Sequence, residues 1–212
     1  MYGLPDGFYR QIDSQHISRK VYVEATEDSF SIYPLTTLHP RKVNADAGTR
    51  YSLKDNSSSF ASIGMLVKNS FDIHLTSVLI KYRFPTPTIP NQFSNNFNGA
   101  LYVGIRKDLI HFRKYDTPLK TKRQHVNHFE LDGGAFAGLG ATPINASVTN
   151  NNITVEYDGL VLQEGVAAFV GIQNLSIGVG LGWDQLMDKY RRYWIYREKP
   201  WIGLILGFKL SK

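Results

Sequence analysis

Large apolar residues alternate with small or polar ones through much of the second half of this chain. Leu175, Ile177, Val179, Leu181 and Trp183 are interleaved with Ser176, Gly178, Gly180 and Gly182. Near the end, Ile202, Leu204, Leu206, Phe208 and Leu210 alternate with Gly203, Ile205, Gly207 and Lys209. A third run sets Leu160, Leu162, Val166, Ala168, Val170 and Ile172 against Gly159, Gln163, Gly165 and Gly171, with Glu164 interrupting the apolar row. A period of two marks strands, because successive side chains point to opposite faces. Further strands are predicted over residues 60–67, 70–84 (with a bulge near Thr76-Ser77, where the apolar parity changes) and 99–106 and 109–115, which flank a turn at Lys107-Asp108. Residues 126–140 place Phe129, Leu131, Ala135, Ala137 and Leu139 on one side and His128, Glu130, Asp132, Gly134 and Phe136 on the other. The total is about eight strands, and only residues 184–192 read as helical.

Residues 165–183 carry no charge over 19 positions, which is long enough to suggest a membrane helix. Five glycines interrupt them, however, and the apolar parity switches from even to odd across Gln173-Asn174. A tight hairpin produces that switch, so the segment is two strands and a turn.

The second face of these strands changes the picture most. A soluble one-sided sheet solvates Lys, Glu, Thr and Ser on its polar face, whereas here that face carries glycine, which weakens a strand unless another group approaches closely. The glycine face is therefore expected to be covered. A closed antiparallel β-barrel of about eight strands covers it by filling a narrow interior with a few large side chains over small ones. Arg106, His128, Glu130, Asp132, Glu156 and Asp158 are the candidates for a polar network in that lumen. The opposite face, with Leu175, Ile177, Val179, Leu181, Trp183, Ile202, Leu204, Leu206 and Phe208, would then point outwards, into lipid or against another protein. Tyr193, Trp194, Tyr196 and Trp201 would serve as interfacial aromatics. The competing arrangement is a soluble β-sandwich with the Leu/Ile face as its core.

Composition fits an all-β chain. Of 212 residues, 42% are hydrophobic and 13% aromatic, and 12 of the 18 glycines fall between Gly133 and Gly207. Residues 1–50 form short β-type runs punctuated by charge, such as Lys20-Val21-Tyr22-Val23, and read as an accessory β segment. The polar stretch 41–59 is the expected linker, with the barrel in 51–212. The absence of cysteine excludes disulfides, thiolate metal sites and a cysteine nucleophile. The opening MYGLPDGFYR has no basic and apolar leader pattern, as expected if a leader was removed or never existed.

Candidate chemistry is sparse. Gly178-Val179-Gly180-Leu181-Gly182 lacks the following helix that a phosphate loop needs. His125 and His128, with His74 and His111 elsewhere, could offer imidazoles to a metal, but two histidines three apart on a strand face opposite ways. Glu130/Asp132 and Glu156/Asp158 form i, i+2 pairs, explained more simply by charge balance inside a barrel than by acid–base catalysis. The net charge is +6, and Lys107, Arg113, Lys114, Lys120, Lys122 and Arg123 form a basic run that could contact a polyanion, lipid headgroups before nucleic acid. No specific nucleic acid, cofactor or metal is expected, and no enzymatic activity.

Residues 141–145 (ATPIN), Val148-Thr149-Asn150, Glu156-Tyr157-Asp158-Gly159, Gly180-Leu181-Gly182-Trp183-Asp184, Tyr193-Trp194-Ile195-Tyr196 and Lys199-Pro200-Trp201-Ile202-Gly203 resemble a family of uncharacterised outer-membrane-barrel-like proteins of Bacteroidota. Ser70-Phe71-Asp72-Ile73, Lys81-Tyr82-Arg83 and Asn98-Gly99-Ala100-Leu101-Tyr102-Val103-Gly104 belong to the same pattern, which spans roughly residues 60–210. The resemblance implies an outer-membrane location and a structural or interaction role within a homo- or hetero-oligomeric complex, with no catalytic residues. The alternative is a phage-encoded relative acting as a virion component, such as a ring or tail adaptor.

Overall fold

The computed structural model describes residues 4–26, 29–36, 42–52, 63–87, 89–116, 118, 122–172 and 175–209, without the side chains of 114–116, 122–125, 172 and 209. Among these the chain is all-β: β1 (Gly7–Ile12), β2 (Ser18–Ala25), β3 (Ser29–Pro34), β4 (Thr49–Ser52), β5 (Met65–Arg83), β6 (Gln92–Ser94), β7 (Asn98–Asp116), β8 (Lys122–Ile144), β9 (Tyr157–Ile172), β10 (Leu175–Leu186) and β11 (Pro200–Lys209). The strand pairs whose register lies within the described residues are antiparallel.

The chain divides into two compact units, Met1–Ser70 with Lys107–Phe129, and Phe71–Arg106 with Glu130–Lys212. The first unit therefore reaches beyond the boundary expected near residue 50, because β5, β7 and β8 are long enough to contribute to both. In it, β1 pairs with the start of β5 (Arg10↔Val67) and with β2, and β3 and β4 follow. Its core is Tyr9, Val21, Val23, Phe30, Ile32, Ile63, Leu66, Ile110 and Phe112. Gly64 enters β5 at φ +71, where a Cβ would stand 2.1 Å from the Ile12 carbonyl, so only glycine fits this approach.

The turn from β1 to β2 is built on Asp13. Its Oδ1 accepts the N–H groups of Gln15 and Ile17, each at 2.9 Å, and its Oδ2 accepts from Arg19 Nη2 at 2.9 Å. The Ile17 N–H above all, then Arg19 and the Gln15 N–H, hold the carboxyl below the usual 3.8.

In the second unit the hydrogen-bonded order runs β11-β10-β9-β8-β7-β5, and β11 also pairs with β5, so six strands form a ring of pairings. The expected hairpin in 165–183 is present: Ile172 opposes Leu175 and the register continues to Val161↔Leu186, with Gln173-Asn174 outside the described residues. Along β10 exposed and buried positions alternate without a break, Leu175 to Trp183 exposed and Ser176 to Asp184 buried. The glycine face is the covered one. A Cβ on Gly178 would stand 2.5 Å from the Phe169 ring, on Gly180 2.3 Å from Ile205, on Gly182 2.4 Å from Trp201 and on Gly207 2.6 Å from His74. The sandwich alternative is thus corrected, since the Leu/Ile face is not the core. The core consists of Val78, Ala100, Tyr102, Phe136, Ala167, Phe169, Trp201 and Ile205, with a second cluster around Ile144, Val161, Leu186, Trp194 and Tyr196.

Several local expectations need correction. Lys107-Asp108 is no turn: β7 runs through it, with Lys107 exposed and Asp108 buried against His128, so the charged pair obeys strand alternation. The helix expected at 184–192 is the end of β10 followed by turns, because Asp184 is drawn inward by cationic partners. The bulge lies at Leu79, between the pairs Leu204↔Ile80 and Ile205↔Val78, and not at Thr76-Ser77. Trp194, Tyr196 and Trp201 are buried, and of the expected interfacial aromatics only Tyr193 is exposed.

Two measurements check these points. Gly182→Ala drives a methyl into a Trp201 ring whose position is fixed, and is expected to cost about 1–3 kcal/mol in urea unfolding, whereas Leu181→Ala on the exposed face costs less. The Asp13 carboxyl, titrated by NMR, should show a midpoint below 3.8. Because its folded pKa is depressed, its contribution is present above the unfolded pKa and is lost as pH falls through the folded one; Asp13→Asn removes that acid dependence.

Candidate functional site

The covered face of the second unit carries charge as well as rings. Inward parity on β5 presents Asp72, His74, Thr76, Lys81 and Arg83; on β7 Tyr102, Gly104 and Arg106; on β8 Glu130, Asp132 and Phe136; and on β10 Asp184. These side chains form two groups.

In the first, Asp184 is fully buried and serves three donors. Lys81 Nζ donates to Oδ1 at 2.9 Å and Oδ2 at 3.1 Å, Arg83 Nη2 donates to Oδ2, and Trp201 Nε1 donates to Oδ1 at 2.9 Å. Lys81 also lies 4.6 Å from the Trp201 ring centroid, and the Arg83 guanidinium is 5.3 Å from Trp194 and 4.9 Å from Tyr196. Two cations against one carboxylate leave a positive excess that aromatic faces stabilise. Burial pushes the Tyr196 hydroxyl up, with Arg83 opposing it. The turn after β10 is thereby fastened to β5, which explains why its aromatics face inward.

In the second, Asp72 and His74 sit two residues apart on β5, and Asp132 faces them from β8. His74 Nδ1 is 3.5 Å and Arg106 Nη1 3.6 Å from Asp72 Oδ2. Tyr102 donates its hydroxyl to Asp132 Oδ1 at 2.6 Å and stacks on His74 at 4.4 Å between ring centroids, while Phe169 meets the imidazole edge-on at 5.1 Å. One ligand-type atom from each of Asp72, His74 and Asp132 lies within 4.8 Å of the other two.

Of the residues expected in a lumen network, Arg106 and Asp132 belong to this second group. Glu130 is buried, packed where a Cβ on Gly171 would stand 2.4 Å from its Oε2. His128 pairs with Asp108 (Nε2···Oδ1 3.0 Å) in the first unit. Glu156 and Asp158 are exposed, on the parity of Leu160 and Val166, so they do not join the buried charges. The outward apolar residues Leu175, Ile177, Val179, Leu181, Trp183, Ile202, Leu204 and Phe208 are all exposed, and Leu206 is half-buried. In the basic run Lys107 and Arg113 are exposed, while the side chains of Lys114, Lys122 and Arg123 and all of Lys120 lie outside the described residues. Sequence reasoning missed Asp72, Lys81, Arg83 and Asp184; their signal was charge on the covered parity of strands whose other face is apolar.

The chain matches no protein-family model, no curated protein and no solved structure.

Removing the shared carboxylate tests the first group. Asp184→Leu leaves Lys81 and Arg83 buried without a counter-ion and is expected to cost about 3–5 kcal/mol. Lys81→Met should cost less, because Arg83 still neutralises Asp184; urea midpoints of the two variants compare them.

Proposed function

We propose that the second unit is a small transmembrane β-barrel of the outer-membrane type, acting as a non-enzymatic structural or interaction subunit of a larger assembly. The carrying observation is the surface of the six-strand ring. Each strand exposes large apolar side chains: Phe71 and Ile73 on β5, Leu101 and Ile105 on β7, Leu131 and Leu139 on β8, Val166 and Val170 on β9, Val179 on β10 and Ile202 on β11. Apolar exposure on every strand of a ring, around an interior holding Asp, Glu, Lys, Arg and His, reverses the order of a soluble protein. Lipid is the solvent in which this arrangement is stable.

The length agrees. The exposed apolar row Leu175–Trp183 spans nine residues of β10, close to the roughly 9–11 needed for a strand to cross a bilayer. At its end two outward neighbours are polar, Gln185 donating to Glu164 at 3.2 Å. Pairing all the way round satisfies backbone groups that hydrocarbon could not. Aromatic and charged side chains crowd the interior, which argues against bulk transport and for an anchoring or interaction role.

Diluting urea-unfolded chain into phosphatidylcholine vesicles tests this directly. The expected outcome is co-flotation with the vesicles, protease protection of the ring strands and a heat-modifiable band on SDS gels. Val179→Arg, on the outer face, should reduce insertion by an amount equivalent to about 2–4 kcal/mol at the bilayer midplane. A monomer that stays soluble in detergent-free buffer and ignores vesicles would overturn the proposal. A soluble closed oligomer would instead assign the apolar surface to neighbouring subunits, as in a virion component.

A further inference from the structure

We propose that Asp72, His74 and Asp132 form a binding site for a divalent transition-metal cation, with zinc the best match to the donor set. The three residues come from two strands that are not neighbours. β7 lies between β5 and β8 in the pairing order, and its residue at this level is Gly104. A Cβ there would stand 2.8 Å from Asp132 Oδ1 and 2.2 Å from the Tyr102 hydroxyl oxygen. The missing side chain is what lets the Asp132 carboxylate cross β7 towards Asp72 and His74. The ligand-type atoms lie within 4.8 Å of one another, wider than the roughly 3.3–3.5 Å between donors around one tetrahedral zinc, so small side-chain rotations would bring them onto one cation.

Unsatisfied polar atoms point to a ligand. The His74 side chain is completely buried, and neither Nδ1 nor Nε2 has a hydrogen-bond partner; nor does the buried Asp72 Oδ2. Leaving such groups unpaired is costly, and coordination to a cation would satisfy the imidazole nitrogen facing Asp72 together with that oxygen. The ring is already oriented, held between Tyr102 and Phe169. The Tyr102 hydroxyl donates to Asp132 Oδ1 and so fixes the carboxylate, as supporting hydrogen bonds do in metal sites.

The donor set selects the cation class. One imidazole nitrogen and two carboxylate oxygens suit zinc and its first-row neighbours, whereas calcium and magnesium favour a fuller oxygen cage. Three protein ligands also leave a coordination position for water. Arg106, with Nη1 3.6 Å from Asp72 Oδ2, tempers the negative charge of the two carboxylates and hence the affinity.

The test uses the full-length chain, treated with chelator and then dialysed against zinc chloride, with bound metal measured by elemental analysis and cobalt(II) substitution read by visible absorption. Wild type should hold one equivalent of zinc and give a cobalt d–d spectrum of low coordination number. His74→Phe keeps a ring against Tyr102 and should lose the bound equivalent and the spectrum. Tyr102→Phe keeps the stack but releases Asp132, weakening binding by about 10–100-fold. Asp132→Asn supplies a second ligand variant should His74→Phe fail to show the wild-type β-sheet circular dichroism. Wild type that binds no more zinc than these ligand variants would overturn the proposal, and so would one equivalent retained in all of them. Neither result depends on whether lipid surrounds the protein.

Discussion

Everything in the second unit depends on the close covering of a glycine-bearing face. Six strands take part in the ring of pairings, fewer than the total of about eight expected from the sequence. Large residues fit on this face only where their neighbours on the adjacent strand have no side chain. Phe169 lies over Gly178, Phe136 over Gly165, Ile205 over Gly180 and Trp201 over Gly182. These glycines lower intrinsic strand stability, and the packing they permit offsets that loss. The same alternation decides the other face: where glycines and the rings over them take one parity, the Leu, Ile, Val and Phe side chains of the opposite parity stay exposed.

The same crowding explains how charge is handled inside. No buried carboxylate of the two groups stands without a cation or donor: Asp184 has Lys81, Arg83 and Trp201, Asp72 has Arg106 close by, and Asp132 has Tyr102. Such groups add little net stability over apolar replacements, but breaking one is expensive. They therefore fix which strands meet more than they strengthen the meeting. Asp184 ties β10 to β5 and, through Trp201, to β11, so one carboxylate specifies both the partner and the register where the ring of pairings returns to its start.

Much of this was legible in the sequence because strand alternation is local. The β9–β10 hairpin, the covered glycine parity and the exposed row from Leu175 to Trp183 follow from period two and from what glycine is for. Where the reading failed, long-range partners decided. Lys107-Asp108 looks like a turn until His128 supplies a partner for the carboxylate, and Asp184 looks like a helix start until Lys81 and Arg83 draw it inward. Trp194 and Tyr196 look like interfacial aromatics until Arg83 is found against them. Glu156 and Asp158 have the wrong parity for the interior, a fact the sequence held but charge-balance reasoning passed over. The Asp72–His74–Asp132 group needed the order of strands, which periodicity does not provide.

The pairing of β11 with β5 joins segments more than a hundred residues apart, Trp201 opposite Arg83 and Lys209 opposite His74. All the other ring strands can zip to a neighbour already made, but β5 must keep one row of amide and carbonyl groups open until the last strand emerges. During synthesis that open flank is long and greasy, the kind of template on which chains stick to one another. Closure late in the chain makes acquisition of the native state slow and cooperative. The vulnerable period of this molecule is thus its birth, and any escort that it requires would have to shield β5 until its C-terminal strand arrives.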